Sequence, residues 1–126
     1  MTYTIAITGK GGTGKTAIAA MLIKYLVERD AGVVLAVDAD PDANLAEVLG
    51  VEVENTLGNI REFMLEEVGN LPPDTNKQSL FQAKLYEVIE EFKGYDLLVM
   101  GRPDGPGCYC YVNNLLRGIM DKVMRN

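Results

Sequence analysis

One eight-residue stretch near the start of the chain constrains the fold more than any other feature. It runs Gly9-Lys10-Gly11-Gly12-Thr13-Gly14-Lys15-Thr16 and fits the pattern G-x-x-x-x-G-K-[ST] at every fixed position. The stretch follows an apolar, β-like run from Tyr3 to Ile7 and precedes a helical pattern. Between a strand and a helix, such a loop turns successive backbone N–H groups toward a phosphate at the helix N-terminus. The sequence therefore predicts a nucleoside triphosphate site.

Two side chains of this loop have chemical roles in that prediction. Lys15 can reach the β- and γ-phosphates, and the Thr16 hydroxyl can ligate Mg²⁺. The predicted nucleotide-binding residues are Gly11, Gly12, Thr13, Gly14, Lys15, Thr16 and Ala17.

A second candidate element is acidic and follows the apolar run Val33–Val37. Here Asp38 and Asp40 precede Pro41 in a short loop. A carboxylate after a buried strand can bind Mg²⁺ through water, and a second can orient an attacking water molecule. The alternative is an acidic loop that only caps the helix after it.

The third element is a pair of thiols, Cys108 and Cys110, in a glycine-rich loop. One residue separates them, too few for an unstrained disulfide ring, so we expect free thiols or metal ligands. Two such pairs related by a two-fold axis supply four thiolates, which suit Zn²⁺, Ni²⁺ or an iron–sulfur cluster. The alternative is that both are small, semi-buried core residues.

The alternation of apolar patterns predicts a single α/β domain over residues 1–126, with a parallel sheet covered by helices on both faces. We expect about three strands, at 2–8, 33–37 and 97–100. Ser79 is the predicted N-cap of a helix that runs to Phe92 and ends at Gly94. The first helix is expected to bury one face made of Ile18, Met21, Leu22, Tyr25 and Leu26.

The composition limits the classes of partner that we expect this protein to bind. The net charge of −6 and a pI near 4.6 argue against a nucleic-acid surface. No signal peptide is visible and no apolar run approaches the roughly 20 residues that span a bilayer. We therefore expect a cytoplasmic protein that binds neither nucleic acid nor a membrane.

Lys10 makes the first resemblance specific. The run Lys10–Thr16 resembles the deviant Walker A motif, K-G-G-x-G-K-[ST], of the family of dimeric ATPases that includes the nitrogenase iron protein, MinD and ParA. The resemblance implies ATP as the nucleotide and a homodimer. It also implies that Lys10 reaches the phosphates of the partner's nucleotide, as a catalytic residue beside Lys15. By the same resemblance Asp40 positions the hydrolytic water, with Asp38 on the metal side and Asn44 on the phosphate side.

The stretch Met100–Cys110 is similar to the CxC region of the CooC-type nickel-insertion ATPases, which serve maturation of nickel carbon monoxide dehydrogenase. This likeness implies a metallochaperone that holds Ni²⁺ or Zn²⁺ between subunits on Cys108 and Cys110 and delivers nickel to that client. Two alternatives stay open. One is an iron-protein-like reductase with a bridging iron–sulfur cluster, and the other is a positioning ATPase of the MinD or ParA kind.

The chain departs from the family pattern at its end. The family continues into a strand ending in D-x-x-A-G and then into segments that hold the base, whereas this sequence ends at Asn126. Whether it hydrolyses ATP is therefore left open. We expect an uncovered strand edge and helix faces that dimerisation or another pairing covers.

Overall fold

A computed structural model describes residues 2–67, 69–102 and 110–125 of the chain. Within them it has five helices and three strands. In chain order the elements are α1 (Lys15–Glu28), β1 (Leu35–Asp38), α2 (Leu45–Leu49), α3 (Leu57–Glu67), α4 (Lys77–Val88), β2 (Glu90–Phe92), β3 (Tyr95–Val99) and α5 (Cys110–Arg125).

The sheet has the order β1-β3-β2. Strands β1 and β3 are parallel, with Leu35 opposite Asp96, whereas β2 and β3 form an antiparallel hairpin with Phe92 opposite Tyr95. The α/β class with about three strands is confirmed. The expectation of an all-parallel sheet is wrong, because the helix predicted to reach Phe92 ends at Val88 and the chain then forms β2. Gly94 accordingly lies in a hairpin turn and does not end a helix.

The predicted first strand is absent. Residues 2–9 have no regular secondary structure, and Tyr3 and Ile5 are 82% and 63% exposed. An apolar, alternating segment forms a strand only when a neighbouring strand accepts its backbone hydrogen bonds. Within the described residues no strand pairs with this segment, so its β-like sequence is left without a partner.

Two apolar clusters lie on the two faces of the sheet because successive strand residues point to opposite sides. One cluster joins Leu98 and Met100 to α3, α4 and α5, and the other joins Leu97, Val99 and Ala36 to α1 and α2. The prediction of helices on both faces is thus confirmed. Helix α5 packs in the first of these clusters through Val112, Leu115 and Ile119, which are buried.

Helix α1 packs through a different face from the one predicted. The structure buries Ala20 and Ile23, while Ile18, Met21 and Tyr25 are exposed. The helix is apolar around most of its circumference, so the sequence pattern alone does not determine which side meets the sheet. Ala20 and Ile23 belong to the apolar cluster on the sheet, whereas Ile18, Met21 and Tyr25 lie on the outer side of the helix.

Side chains cap the starts of α3 and α4. The carboxamide oxygen of Asn76 accepts a hydrogen bond from the Ser79 backbone N–H at 3.2 Å, so Asn76 caps α4 and the prediction of Ser79 is wrong. At α3, the Thr56 hydroxyl accepts from the Asn59 N–H and the Asn59 side chain accepts from the Thr56 N–H. This reciprocal pair satisfies two N–H groups at the start of α3.

Candidate nucleotide-binding site

The glycine-rich loop turns into α1 through left-handed backbone. Gly12 and Gly14 have φ angles of +77° and +88°, which favour residues without a Cβ. A Cβ built on Gly11, Gly12 or Gly14 would have no atom within 4 Å, so there is open space beside the loop at these three positions. The loop therefore has space beside its backbone for a bound group such as a phosphate.

Hydrogen bonds within the loop hold its shape. The Thr13 hydroxyl donates to the Lys10 carbonyl at 2.7 Å. The Lys15 ammonium donates to the Gly9 carbonyl, so its side chain folds back over the loop instead of extending into solvent. The charge of Lys15 is thereby held beside the glycines of the loop, and its contact with phosphates remains a prediction.

The N-terminus of α1 has the character of an anion site. Gly14 is the N-cap and has no capping side chain, and the first turn carries no acidic residue. Helix geometry leaves the N–H groups of the first turn, including those of Lys15, Thr16 and Ala17, without carbonyl partners in the helix. Together with the positive end of the helix dipole, these groups fit the phosphates of a nucleotide.

The acidic loop is organised by Asp38, which ends β1 and is 8% exposed. One carboxylate oxygen accepts from the Asp40 N–H at 3.1 Å, and the other accepts from the Leu45 N–H at 3.1 Å. The second bond satisfies an N–H at the start of α2, whose own N-cap, Asn44, makes no side-chain bond. Asp38 therefore fixes the loop and caps α2, so the capping alternative holds for this residue.

Asp40 lies in the same loop but is exposed. Its carboxylate accepts a bond from the Asp42 N–H at 2.9 Å. A carboxylate oxygen that is exposed and fixed by one backbone contact has lone pairs left for a water molecule. The predicted water-positioning role remains a prediction for this residue.

The two loops are connected through packing. Helix α1, which follows the phosphate loop, and α2, which follows the acidic loop, share one apolar cluster through Ala20 and Leu45. Among the described residues no hydrogen bond or ion pair joins Gly9–Thr16 directly to Asp38–Asn44. The helices that follow the two loops thus pack on the same face of the sheet. The side chains of the two loops make no hydrogen bond or ion pair with each other in the described residues.

A contact that the sequence did not predict joins the acidic loop to the segment after β3. Arg102 forms an ion pair with Asp42, and the Met100 N–H donates to the Asp38 carbonyl at 2.8 Å. The only sequence signal was a basic residue directly after a strand predicted to end at the same sheet edge. These two contacts join the acidic loop to residues 100–102, the segment that directly follows β3.

The structure describes one of the two cysteines of the predicted thiol pair. Cys108 lies outside the described residues, whereas Cys110 is the first residue of α5 and is exposed, which excludes the core alternative for it. The structure has Cys110 in a disulfide, so the expectation of a free thiol is wrong for this state. Within the described ranges no three Cys, Asp or Glu side chains converge as metal ligands.

In the part of the chain that the structure describes, every helix is too short or too polar to cross a bilayer.

Comparisons with known proteins agree with this geometry. The family model described as the CobQ/CobB/MinD/ParA nucleotide binding domain matches residues 4–122. An "uncharacterized ATP-binding protein", MJ0685 of Methanocaldococcus jannaschii, is 52% identical over 124 residues, which are 97% of this chain and 49% of that protein. The carbon monoxide dehydrogenase accessory protein CooC of Rhodospirillum rubrum is 35% identical over 131 residues, covering 95% of this chain and 49% of CooC. The chain thus spans about half the length of the curated relatives it matches.

Proposed function

Because the chain belongs to the CobQ/CobB/MinD/ParA family of nucleotide-binding domains, we propose that it binds ATP with Mg²⁺ and carries nickel for a carbon monoxide dehydrogenase. The names of the relatives support both parts, since one is an ATP-binding protein and another is a dehydrogenase accessory protein. The observation that carries the combined proposal is the contact of Arg102 with Asp42, because it links the loop of the nucleotide site to the cysteine segment.

In the nucleotide site, each residue has a role that its environment supports. The N–H groups from Gly11 to Ala17 surround the β- and γ-phosphates, and Lys15 contributes a positive charge from its position over the loop. A magnesium ion supplies charge neutralisation for the phosphates, held by the Thr16 hydroxyl directly and by Asp38 through water. Each oxygen of Asp38 accepts one backbone N–H bond, which holds the carboxylate in place and leaves lone pairs for a water molecule bound to the ion.

Hydrolysis in this proposal involves Asp40 and Lys10. Asp40 orients the attacking water, using the oxygen lone pairs that its bond to Asp42 leaves available. Lys10 is exposed and only its carbonyl takes part in the loop, so its ammonium can reach a second subunit. There it stabilises charge on the partner's nucleotide, and two chains therefore form the active unit.

Nickel is the cargo. A thiol reductant first reduces the disulfide of Cys110, with two reductant thiols becoming one disulfide. After this reduction the thiols of Cys108 and Cys110 lose their protons and bind Ni²⁺ or Zn²⁺ as thiolates, two from each of two chains. Nucleotide-driven movement of the acidic loop reaches these ligands through Arg102 and favours release to the dehydrogenase.

The test is nickel titration of the reduced protein, followed by thiolate-to-nickel absorption and by sedimentation. We expect saturation near one ion per two chains, a shift toward dimers, and weaker binding as the pH falls, because ligation releases thiol protons. Cys110→Ser should abolish the absorption and the shift.

A matched control keeps the number of thiols constant. In the double variant Cys110→Ser/Ser79→Cys, the second thiol moves to an exposed site on α4. It should behave like Cys110→Ser. Full nickel binding by the double variant would show that any two thiols suffice and would rule out a built site. Failure of the nickel-loaded protein to activate nickel-free dehydrogenase would rule out the delivery role.

A further inference from the structure

We infer that Arg102 is a positioning residue for the carboxylate of Asp40 and acts through the side chain of Asp42, which deepens the proposed function and rests on the role of Asp40 in it. Asp40 and Asp42 lie in the acidic loop, and Arg102 lies directly after β3. Asp42 and Arg102 are 60 positions apart in the chain, so the fold alone brings them together.

The Asp40 carboxylate has a single hydrogen-bond partner among the described residues. Its Oδ1 accepts a bond from the Asp42 N–H at 2.9 Å, and the side chain is otherwise exposed. A carboxylate that is fixed by one bond takes its direction from the donor. The position of the Asp42 backbone therefore determines where the other oxygen of Asp40, the one left for a water molecule, is directed.

The backbone next to Asp42 adopts an unfavourable conformation. Ala43 has a φ angle of +43°, in the left-handed region that residues with a Cβ rarely adopt. The Ala43 N–H donates to the Asp40 carbonyl at 3.0 Å, which closes the turn from within. A conformation of this kind persists where the surrounding structure imposes it. The ion pair of Asp42 is a contact from outside the turn that holds it in this conformation.

Arg102 makes that contact from a fixed backbone. Met100, two residues before it, is bonded on both sides: its N–H donates to the Asp38 carbonyl at 2.8 Å, and its carbonyl accepts from the Gly58 N–H at 3.1 Å. The chain that leads into Arg102 is thus attached to the end of β1 and to the start of α3. From this base the guanidinium pairs with the Asp42 carboxylate.

The exposure of the ion pair fits a positioning role. The two side chains are 62% and 63% exposed, and exposed pairs of this kind change an equilibrium by at most about fivefold. Asp38 holds the two ends of the loop independently, through its bonds to the Asp40 and Leu45 N–H groups. Loss of Arg102 should therefore leave the fold intact and lower the population of the turn in which Asp40 is oriented.

Amide hydrogen exchange of the nucleotide-free chain, followed by NMR, is the direct test. Arg102→Ala should speed exchange at the Asp42 amide about two- to fivefold, because its bond to Asp40 opens more often. The Leu45 amide, bonded to Asp38, should be unchanged and is the internal reference. Loss of a nearby cation by itself slows hydroxide-catalysed exchange, so the effect of charge alone has the opposite sign.

Two outcomes of the exchange measurement would overturn the inference. Unchanged or slower exchange at the Asp42 amide would show that Arg102 does not hold the turn. Equal acceleration at the Asp42 and Leu45 amides would show that Arg102 stabilises the whole loop and does not position Asp40.

Two further variants identify the ion pair as the cause. Arg125→Ala removes the same charge from an exposed site at the end of α5 and should leave exchange at the Asp42 amide unchanged. The double variant Asp42→Arg/Arg102→Asp exchanges the two charges and should restore slow exchange at position 42, relative to the intrinsic rate of that amide. Failure of the exchanged pair to restore it would show that the contact is not electrostatic and would contradict the proposed role of Arg102.

Hydrolysis of ATP with Mg²⁺ separates this inference from the proposed function. Arg102→Ala should lower kcat about two- to fivefold with KM unchanged, because Asp40 acts on the attacking water and not on nucleotide binding. Arg102→Lys should recover part of the loss. An unchanged kcat together with faster exchange at the Asp42 amide would overturn the positioning role. A parent chain without hydrolysis would contradict the role of Asp40 in the proposed function, while the exchange measurement still decides whether Arg102 holds its carboxylate.

Discussion

Asp38 uses both of its carboxylate oxygens to hold its own loop. The two N–H donors, at Asp40 and Leu45, belong to opposite ends of that loop, so a single buried side chain closes it. Charge-assisted bonds of this kind are about twice as strong as neutral ones. Loop geometry at the candidate site therefore depends on this residue even before any ligand is considered.

Asp38→Asn should lower the free energy of unfolding by about 1–3 kcal/mol, because the amide nitrogen cannot accept a bond and leaves one buried N–H unsatisfied. Urea unfolding measures the change. Asp40→Asn is the control, since that side chain is exposed and should cost less. Equal decreases in the free energy of unfolding for the two variants would contradict the role of Asp38 in holding the loop.

Lys15→Ala should weaken ATP binding roughly ten- to a hundred-fold, the effect of removing one charged partner from the phosphates. Isothermal titration of each variant provides the affinity. Lys24→Ala removes an exposed lysine from the same helix and should bind like the parent. If Lys15→Ala also bound like the parent, the phosphate-loop assignment would be wrong.

The sequence predicted residues whose type follows from the local backbone conformation. It did not predict contacts between side chains that are far apart in the sequence. The left-handed angles at Gly12 and Gly14 follow from the motif itself. The pairing of Arg102 with Asp42 joins positions far apart in the sequence, so no local pattern contains it. The cap at Asn76 was missed because several polar residues precede α4 and any of them satisfies the local rule.

At the level of elements, the segment after β3 is fitted tightly to the start of α3. The Met100 carbonyl accepts a bond from the Gly58 N–H at 3.1 Å. Gly101 has a φ of +63°, and a Cβ there would lie 2.8 Å from the Thr56 side chain. Both the backbone angle and the contact exclude a larger residue at this junction.

Gly101→Ala should therefore lower the free energy of unfolding by more than about 1 kcal/mol. Gly118→Ala, in the middle of α5 with open space around it, should raise it by roughly 0.5–1 kcal/mol. Thermal or urea unfolding measures both changes. The change in the free energy of unfolding should have opposite signs in the two variants. A stabilising Gly101→Ala would contradict the close approach to Thr56.

Element types were predictable where the periodicity was strong, as in α1, and the predictions failed where an element depends on its neighbours. The segment 2–9 has the sequence of a strand, but strand formation requires a pairing partner that its own residues do not encode. Helix α1 was assigned correctly as a helix and given the wrong buried face, because its apolar residues surround it. The hairpin at Gly94 was missed because the apolar residues before it also suit a helix.

At the scale of the whole molecule, association is the property that the proposed function requires. Lys10→Ala should retain ATP binding and lose nucleotide-dependent dimerisation, because its ammonium serves the partner's site in this proposal. Sedimentation with a non-hydrolysable ATP analogue provides the measurement. Lys93→Ala, an exposed lysine in the β2–β3 turn, should leave association unchanged. An undiminished dimer of Lys10→Ala would reduce this lysine to a surface charge.

The contrast between the two ends of the sheet also limits how copies of this chain can aggregate. Fibre growth by strand addition needs an acceptor at both ends of each molecule, so that every new copy offers a place for the next. Among the three strands of the described residues, β2 presents short, acidic backbone at one edge and β1 is bare at the other. When the β1 edges of two copies pair about a two-fold axis, their free backbone groups bond to each other. The joined sheet then has β2 at both of its ends. Polymerisation through strands consequently terminates at a pair, so high concentration should produce closed dimers instead of fibrils.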